Sequence, residues 1–300
     1  MGFVVVEGFS RPDWKGVRTF IKEHVPRENQ GAAWNQAAIR WLEALAEDLG
    51  GGCRVCGSTD FFCLSDLDDR TTKTLLARAE SALDVIRSCL KEAAWTGYLG
   101  KHILLLFSDP DDYFPYISYF HPDGRHILSS GVFIRRRYAH IAVPCVDIRS
   151  VQDTLAHELV HNLLCHLRIP LWLNEGLAVV IQRRVSRQGL LANSELAERH
   201  FRHWTEANIQ GFWAGRSYNV PGDDSELSYS LGEILVNLLA NRGPDFIEFI
   251  RHADWRDAGQ DAALNFMNLN LGDVLSEFLG PGDWRPQRKA ISEYMAKASG

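Results

Sequence analysis

No stretch of this chain is apolar enough, for long enough, to read as a membrane span, because charge interrupts the longest hydrophobic runs within a few residues. The opening MGFVVVEGFSRPDW lacks the basic start, long apolar middle and small-residue cleavage site of a secretory signal. Val6 stands where myristoylation needs Ser or Thr. These absences predict a cytoplasmic protein without a membrane partner. Excess positive charge is missing too: 32 Lys and Arg against 38 Asp and Glu leave a net charge of -6, which excludes an electrostatic case for nucleic acid. The one basic run, Arg135-Arg136-Arg137, lies in strand-like sequence and reads as a solvated strand edge. Six cysteines in 300 residues are too few for a disulfide scaffold, so reduced thiols are expected. Internal repeats and low-complexity tracts are absent. What remains, 46% hydrophobic and 23% charged, is the balance of a globular chain with material for a real core.

The first hundred residues read mainly as helices. Ala32 to Leu49 is apolar at helical spacing and stops at Gly50-Gly51-Gly52, and Asp69 to Trp95 carries a second long amphipathic pattern. Phe61 to Leu64 is a short strand candidate between them. From Lys101 the texture changes. His102 to Phe107 (HILLLF) is a compact buried strand closed by Ser108-Asp109-Pro110, Asp111 to Phe120 a short aromatic-rich helix, and Gly131 to Pro144 one or two strands. The pattern predicts a mainly helical region over 1–98 and a second domain over 99–300, divided into sheet and helix (99–170) and a helical lobe (171–300). In that lobe Leu173 to Arg184, Ser194 to Ile209 and Glu226 to Asn241 each read as one helix.

The stretch DIRSVQDTLAHELVHNLLCHLRIP holds the chemistry. Ser150 with Asp153 suggests a capping box, Pro170 marks the exit, and His157-Glu158-x-x-His161 falls in the middle of the helix between them. Spacing of four stacks both imidazoles on one helix face, where they can hold a single ion. Glu158 lies about 100° around from His157, beside such an ion, as a base acting on attacking water requires. A catalytic zinc site needs a third protein donor. Glu175, in LWLNEGLA, follows His161 by fourteen residues across the proline break, and Gly176 and Ala178 would let its helix pack closely.

HELVH followed by PLWLNEGLA resembles the gluzincin metallopeptidases, the thermolysin- and aminopeptidase-like group, and most of all compact members whose third ligand sits in W-x-x-E-G-x-A. The likeness covers about Lys101 to Gly280. It implies an α+β, zincin-like core: a small, mostly antiparallel sheet, a zinc helix and a helical lobe, here behind a helical N-terminal region. It implies a zinc ion on His157, His161 and Glu175, Glu158 as general base, and a peptide or protein substrate held along an edge strand matched by Gly131 to Arg137. A stabiliser of the developing oxyanion is also implied, and Tyr229 occupies that place, with Tyr218 and His203 as competitors. Two features depart from the pattern. Val179 stands where the family commonly has a supporting carboxylate, leaving Asp153 or a backbone carbonyl to orient the histidines. The G-x-M-E-N signature of the aminopeptidases is missing.

Two other readings compete with a zinc peptidase: a zincin scaffold that binds a peptide or protein without catalysis, and a helix whose histidines merely face solvent. Beyond the motif, Cys53-x-x-Cys56 with Cys63 reads as unlinked thiols or half of a zinc knuckle, for which Cys89 and His102 are poorly placed fourth donors. Cys165 lies near the His161 stripe but reads as core, and His166 follows it. His121 and His126 flank a Pro-Asp-Gly turn and read as exposed. The aromatics of DDYFPYISYF and Trp204, Trp213 and Trp255 read as packing.

Overall fold

The structure, a computed structural model, describes residues 2–50, 52–97, 99–121, 130–135, 138–145, 148–188 and 194–298. Arg136, Arg137 and the turn holding His126 lie outside the described residues. Two compact units emerge, one of residues 1–86 with 96–162, the other of 87–95 with 163–300.

In the first unit, a hairpin of β1 (Phe3–Val6) and β2 (Phe9–Pro12) leads into α1 (Trp14–His24) and α2 (Gln30–Leu49). Then come β3 (Arg54–Gly57), β4 (Phe61–Ser65), α3 (Asp69–Leu90), β5 (His102–Phe107), α4 (Pro110–Ser118), β6 (Val132–Ile134), β7 (His140–Pro144) and α5 (Ile148–Leu164). Four of these strands precede residue 66, in the stretch whose sequence reads as mainly helical. β3 to β7 form one sheet in the order β3-β4-β5-β7-β6.

The sheet is mixed, which corrects the expectation of a mostly antiparallel one. β3–β4 and β6–β7 pair antiparallel, but β4–β5 and β5–β7 pair parallel. For β4–β5 the cause is α3: a helix of that length between consecutive strands is a crossover, which returns the chain in the same direction. The parallel strands β4 and β5 are buried at every position, as expected of strands covered on both faces. On one face lies an aromatic core built from Trp14, Trp34, Trp41, Tyr113, Tyr116, Phe120 and Tyr138, so Tyr113 and Tyr116 of α4 are packing residues while Phe114 is exposed. Within it, His140 is wholly buried as a neutral ring. Its Nδ1 lies 2.7 Å from the Tyr138 carbonyl and its Nε2 2.8 Å from the Tyr116 hydroxyl.

The described part of the second unit is helical. Its main elements are α6 (Leu171–Val185), α7 (Ser194–His203), α8 (Ile209–Trp213) and α9 (Asp223–Ala240). The remainder is α10 (Phe246–His252), α11 (Gln260–Met267), α12 (Leu271–Leu279) and α13 (Arg288–Ala298). Ser194 to Ile209 is two helices rather than one. Thr205 and Asn208 break it by capping each other, the Thr205 amide donating to the Asn208 side chain at 2.8 Å and the Asn208 amide to the Thr205 hydroxyl at 3.2 Å. Trp204 and Trp213 are buried, while Trp255 is half-buried with the guanidinium groups of Arg168 and Arg256 over its ring. Among the described residues, no helix is long and apolar enough to cross a membrane.

Candidate metal centre

α5 buries Val151, Leu155, Leu159, Val160, Leu163 and Leu164, which fixes its rotation about its own axis. His157 and His161 then share a half-buried face, their ring centroids 4.7 Å apart and their planes at 81°. The helix starts at Ile148, so Ser150 is its third residue and not its cap. That corrects the expected capping box without moving the histidines.

α6 begins immediately after Pro170, whose fixed φ suits the entrance to a helix. Trp172 and Leu173 are completely buried, and the Trp172 indole N–H donates to the Ala258 carbonyl at 3.0 Å. These anchors orient α6 and leave Glu175 half-buried. α6 packs on α9 backbone to backbone. A Cβ added at Gly176 would lie 2.5 Å from the Gly232 carbonyl oxygen, and one at Gly232 would lie 3.0 Å from the Trp172 carbonyl oxygen. An Arg183–Glu233 ion pair at 2.8 Å ties the same two helices further along. Burial raises the Glu233 carboxyl above its ordinary pKa, and Arg183 opposes that shift.

The three expected donors converge. One ligand atom each from His157, His161 and Glu175 lies within 4.8 Å of the other two, the one such group among the described residues. Tetrahedral zinc with bonds of about 2.0–2.2 Å places donors roughly 3.4 Å apart, a separation inside the 4.8 Å limit that these three atoms meet. Two imidazoles and one carboxylate are also the donor chemistry of zinc sites that keep a coordination position open. Cys165 is not in the group.

Glu158 is buried on α5, and its Oε2 accepts a hydrogen bond from the Phe133 amide of β6 at 2.8 Å. β6 ends the sheet. Peptide groups in an antiparallel ladder alternate in direction, so the Phe133 carbonyl faces away from β7 on the same open edge as its amide. The close approach depends on Gly131, where a Cβ would lie 2.4 Å from Cγ2 of Thr154, one turn before Glu158. Sequence reasoning missed the Phe133 amide because every residue type carries that group. The glycine entering a short strand just before the helix was the available clue.

Of the oxyanion candidates, Tyr218 is buried and its hydroxyl donates to the Ser228 carbonyl at 2.9 Å. Burial, then the Glu175 carboxylate and Tyr229, push its phenol well above the ordinary tyrosine range. Tyr229, on the second turn of α9, packs edge-on against Tyr218 with centroids 5.0 Å apart and is 37% exposed. His203 lies 3.7 Å from the Asp224 carboxylate. Tyr229 is therefore the exposed member of a tyrosine pair whose buried member senses Glu175. Comparison with models of known protein families gives no match, and comparison with curated proteins gives none either.

Proposed function

We propose that the protein is a zinc-dependent hydrolase of peptide bonds, of the gluzincin type, with a zincin-like core formed by the mixed sheet, α5 and the helices that follow. The observation that carries this reading is the convergence of His157, His161 and Glu175 from two successive helices. Zinc held there supplies a Lewis acid that acidifies water and polarises a carbonyl. Glu158 takes the proton from the attacking water and returns it to the leaving amine. Its Oε2 accepts from the Phe133 amide, which orients the carboxylate for proton transfer. The Phe133 carbonyl, on the β6 edge away from β7, lines up an extended substrate by accepting from its backbone. Tyr229 donates its phenol to the developing oxyanion, while Tyr218 fixes the turn that carries it.

A fluorogenic peptide library, assayed with and without a chelator and with Glu158→Gln, tests the proposal. Cleavage that chelation stops, zinc restores and Glu158→Gln abolishes is the expected result. Zinc retained without cleavage by the wild-type protein would point instead to a metal-stabilised peptide-binding module.

A further inference from the structure

The catalytic reading leaves Cys53, Cys56 and Cys63 without a role. Cys53 and Cys56 stand three residues apart on extended chain, which sends their side chains to opposite faces. Cys53 joins the aromatic core with Val55, and no cysteine belongs to a three-donor group among the described residues. A zinc knuckle therefore finds no support. The register brings together a different pair: Cys56 of β3 lies directly opposite Cys63 of β4. Opposed residues of a ladder share a face, and their Cα atoms stand about 4.5–5.5 Å apart, inside the roughly 4.4–6.8 Å span of disulfides.

We propose that Cys56 and Cys63 are a reversible dithiol–disulfide pair that exchanges with small-molecule disulfides of the glutathione type. Both thiols are free in this structure, Cys56 half-buried and Cys63 fully buried. Cys56 therefore reacts first. Its thiolate attacks one sulfur of the small disulfide, the old S–S bond breaks, and one small thiol leaves with a proton. Cys63 then loses its proton and attacks the Cys56 sulfur, forming the cross-strand bond and expelling the second small thiol. Two protein thiols are oxidised, one disulfide is reduced to two thiols, and no other reactant is needed. The order also agrees with the Cys63 thiol itself, which burial and then the neighbouring Cys56 and Cys145 hold far above the ordinary cysteine range.

Reversibility follows from the hairpin. The Ser58 amide donates to the Phe61 carbonyl at 2.9 Å, making Ser58 and Phe61 a hydrogen-bonded pair. Alternation then makes Gly57–Phe62 a wide pair and Cys56–Cys63 hydrogen-bonded again. Hydrogen-bonded pairs hold their Cβ atoms further apart than a relaxed disulfide prefers. Oxidation must draw the strands together, and a strained bond of that kind is readily reduced.

The full-length protein is equilibrated in glutathione buffers of stepped oxidised-to-reduced ratio, quenched in acid, alkylated and mapped by mass spectrometry. The expected result is a Cys56–Cys63 linked peptide with two thiols lost per chain, reversed by excess reduced glutathione. In Cys63→Ala, exchange stops at a glutathione adduct on Cys56. Should that core variant not fold, Cys56→Ser changes only a half-buried position, and Cys63 should then stay unmodified in every buffer. A wild-type chain that keeps the Cys56 adduct, links Cys56 to Cys53 or Cys145, or remains fully reduced at every ratio overturns the proposal.

Discussion

Glu158 has two carboxylate oxygens, and a backbone amide of the neighbouring strand occupies one of them. Glutamine in its place keeps an oxygen to accept from Phe133 but cannot take up a proton. Glu158→Gln should therefore lower turnover by about 10²-fold or more while zinc binding stays near the wild-type value. Metal analysis beside a peptidase assay checks both halves, and full activity in the variant would remove Glu158 as the base. A second consequence at this scale concerns pH. Burial holds the pKa of both His140 and His200 down to about 4, with Arg11 adding to the shift at His140 and His203 at His200. The unfolded chain titrates these rings near 6.5, so it binds more protons than the native state between the two values. Their contribution is complete above pH 6.5 and is lost as pH falls toward 4, by about 1.4 kcal/mol per unit for each ring at most. Urea unfolding between pH 6.5 and 4.5 should show falling stability, with a shallower slope in His140→Phe. Equal slopes would mean that His140 is protonated in the folded protein. The histidine pair was legible because a period of four on a helix is a sequence property. The partner of Glu158 was not, because a backbone amide leaves no mark in the side-chain pattern.

Between elements, distances depend on two glycines. Gly176 brings the α6 backbone against α9 at Gly232, and a methyl group there has no room. Gly176→Ala should cost on the order of 1–3 kcal/mol through forced separation of these helices, read as a lower melting temperature. Since Glu175 is its neighbour, zinc affinity should fall as well. An unchanged melting temperature would contradict the close packing. Gly131→Val forces β6 away from Thr154 and stretches the Phe133–Glu158 bond. Turnover should fall more than zinc affinity, because the residue touches no metal ligand. Equal losses in both would show that Gly131 supports the whole helix instead. Most helices and the strand His102–Phe107 were readable from periodicity and turn residues. The mixed sheet was less so, because strand direction depends on the α3 crossover rather than on any pattern within a strand. The break between α7 and α8 had a signal in Thr205 and Asn208, a reciprocal cap set inside an otherwise helical run.

At the scale of the molecule, composition bounded the answer without supplying it. A net charge of -6 and short apolar runs bear on partners, and the expectation of an α+β class came with the resemblance carried by HELVH and PLWLNEGLA. The two compact units part within α3 and α5, where the amphipathic pattern continues unbroken. Function rests on a narrower base, three donors carried by two successive helices. Zinc titration against a competing chromophoric chelator, on the metal-free chain and on Glu175→Ala and His161→Ala, measures that base directly. One zinc ion per wild-type chain, with affinity reduced at least about tenfold in each variant and the helical circular dichroism retained, is the predicted result. Wild-type protein that takes up no zinc, or variants that bind it as tightly as wild type, would contradict the account.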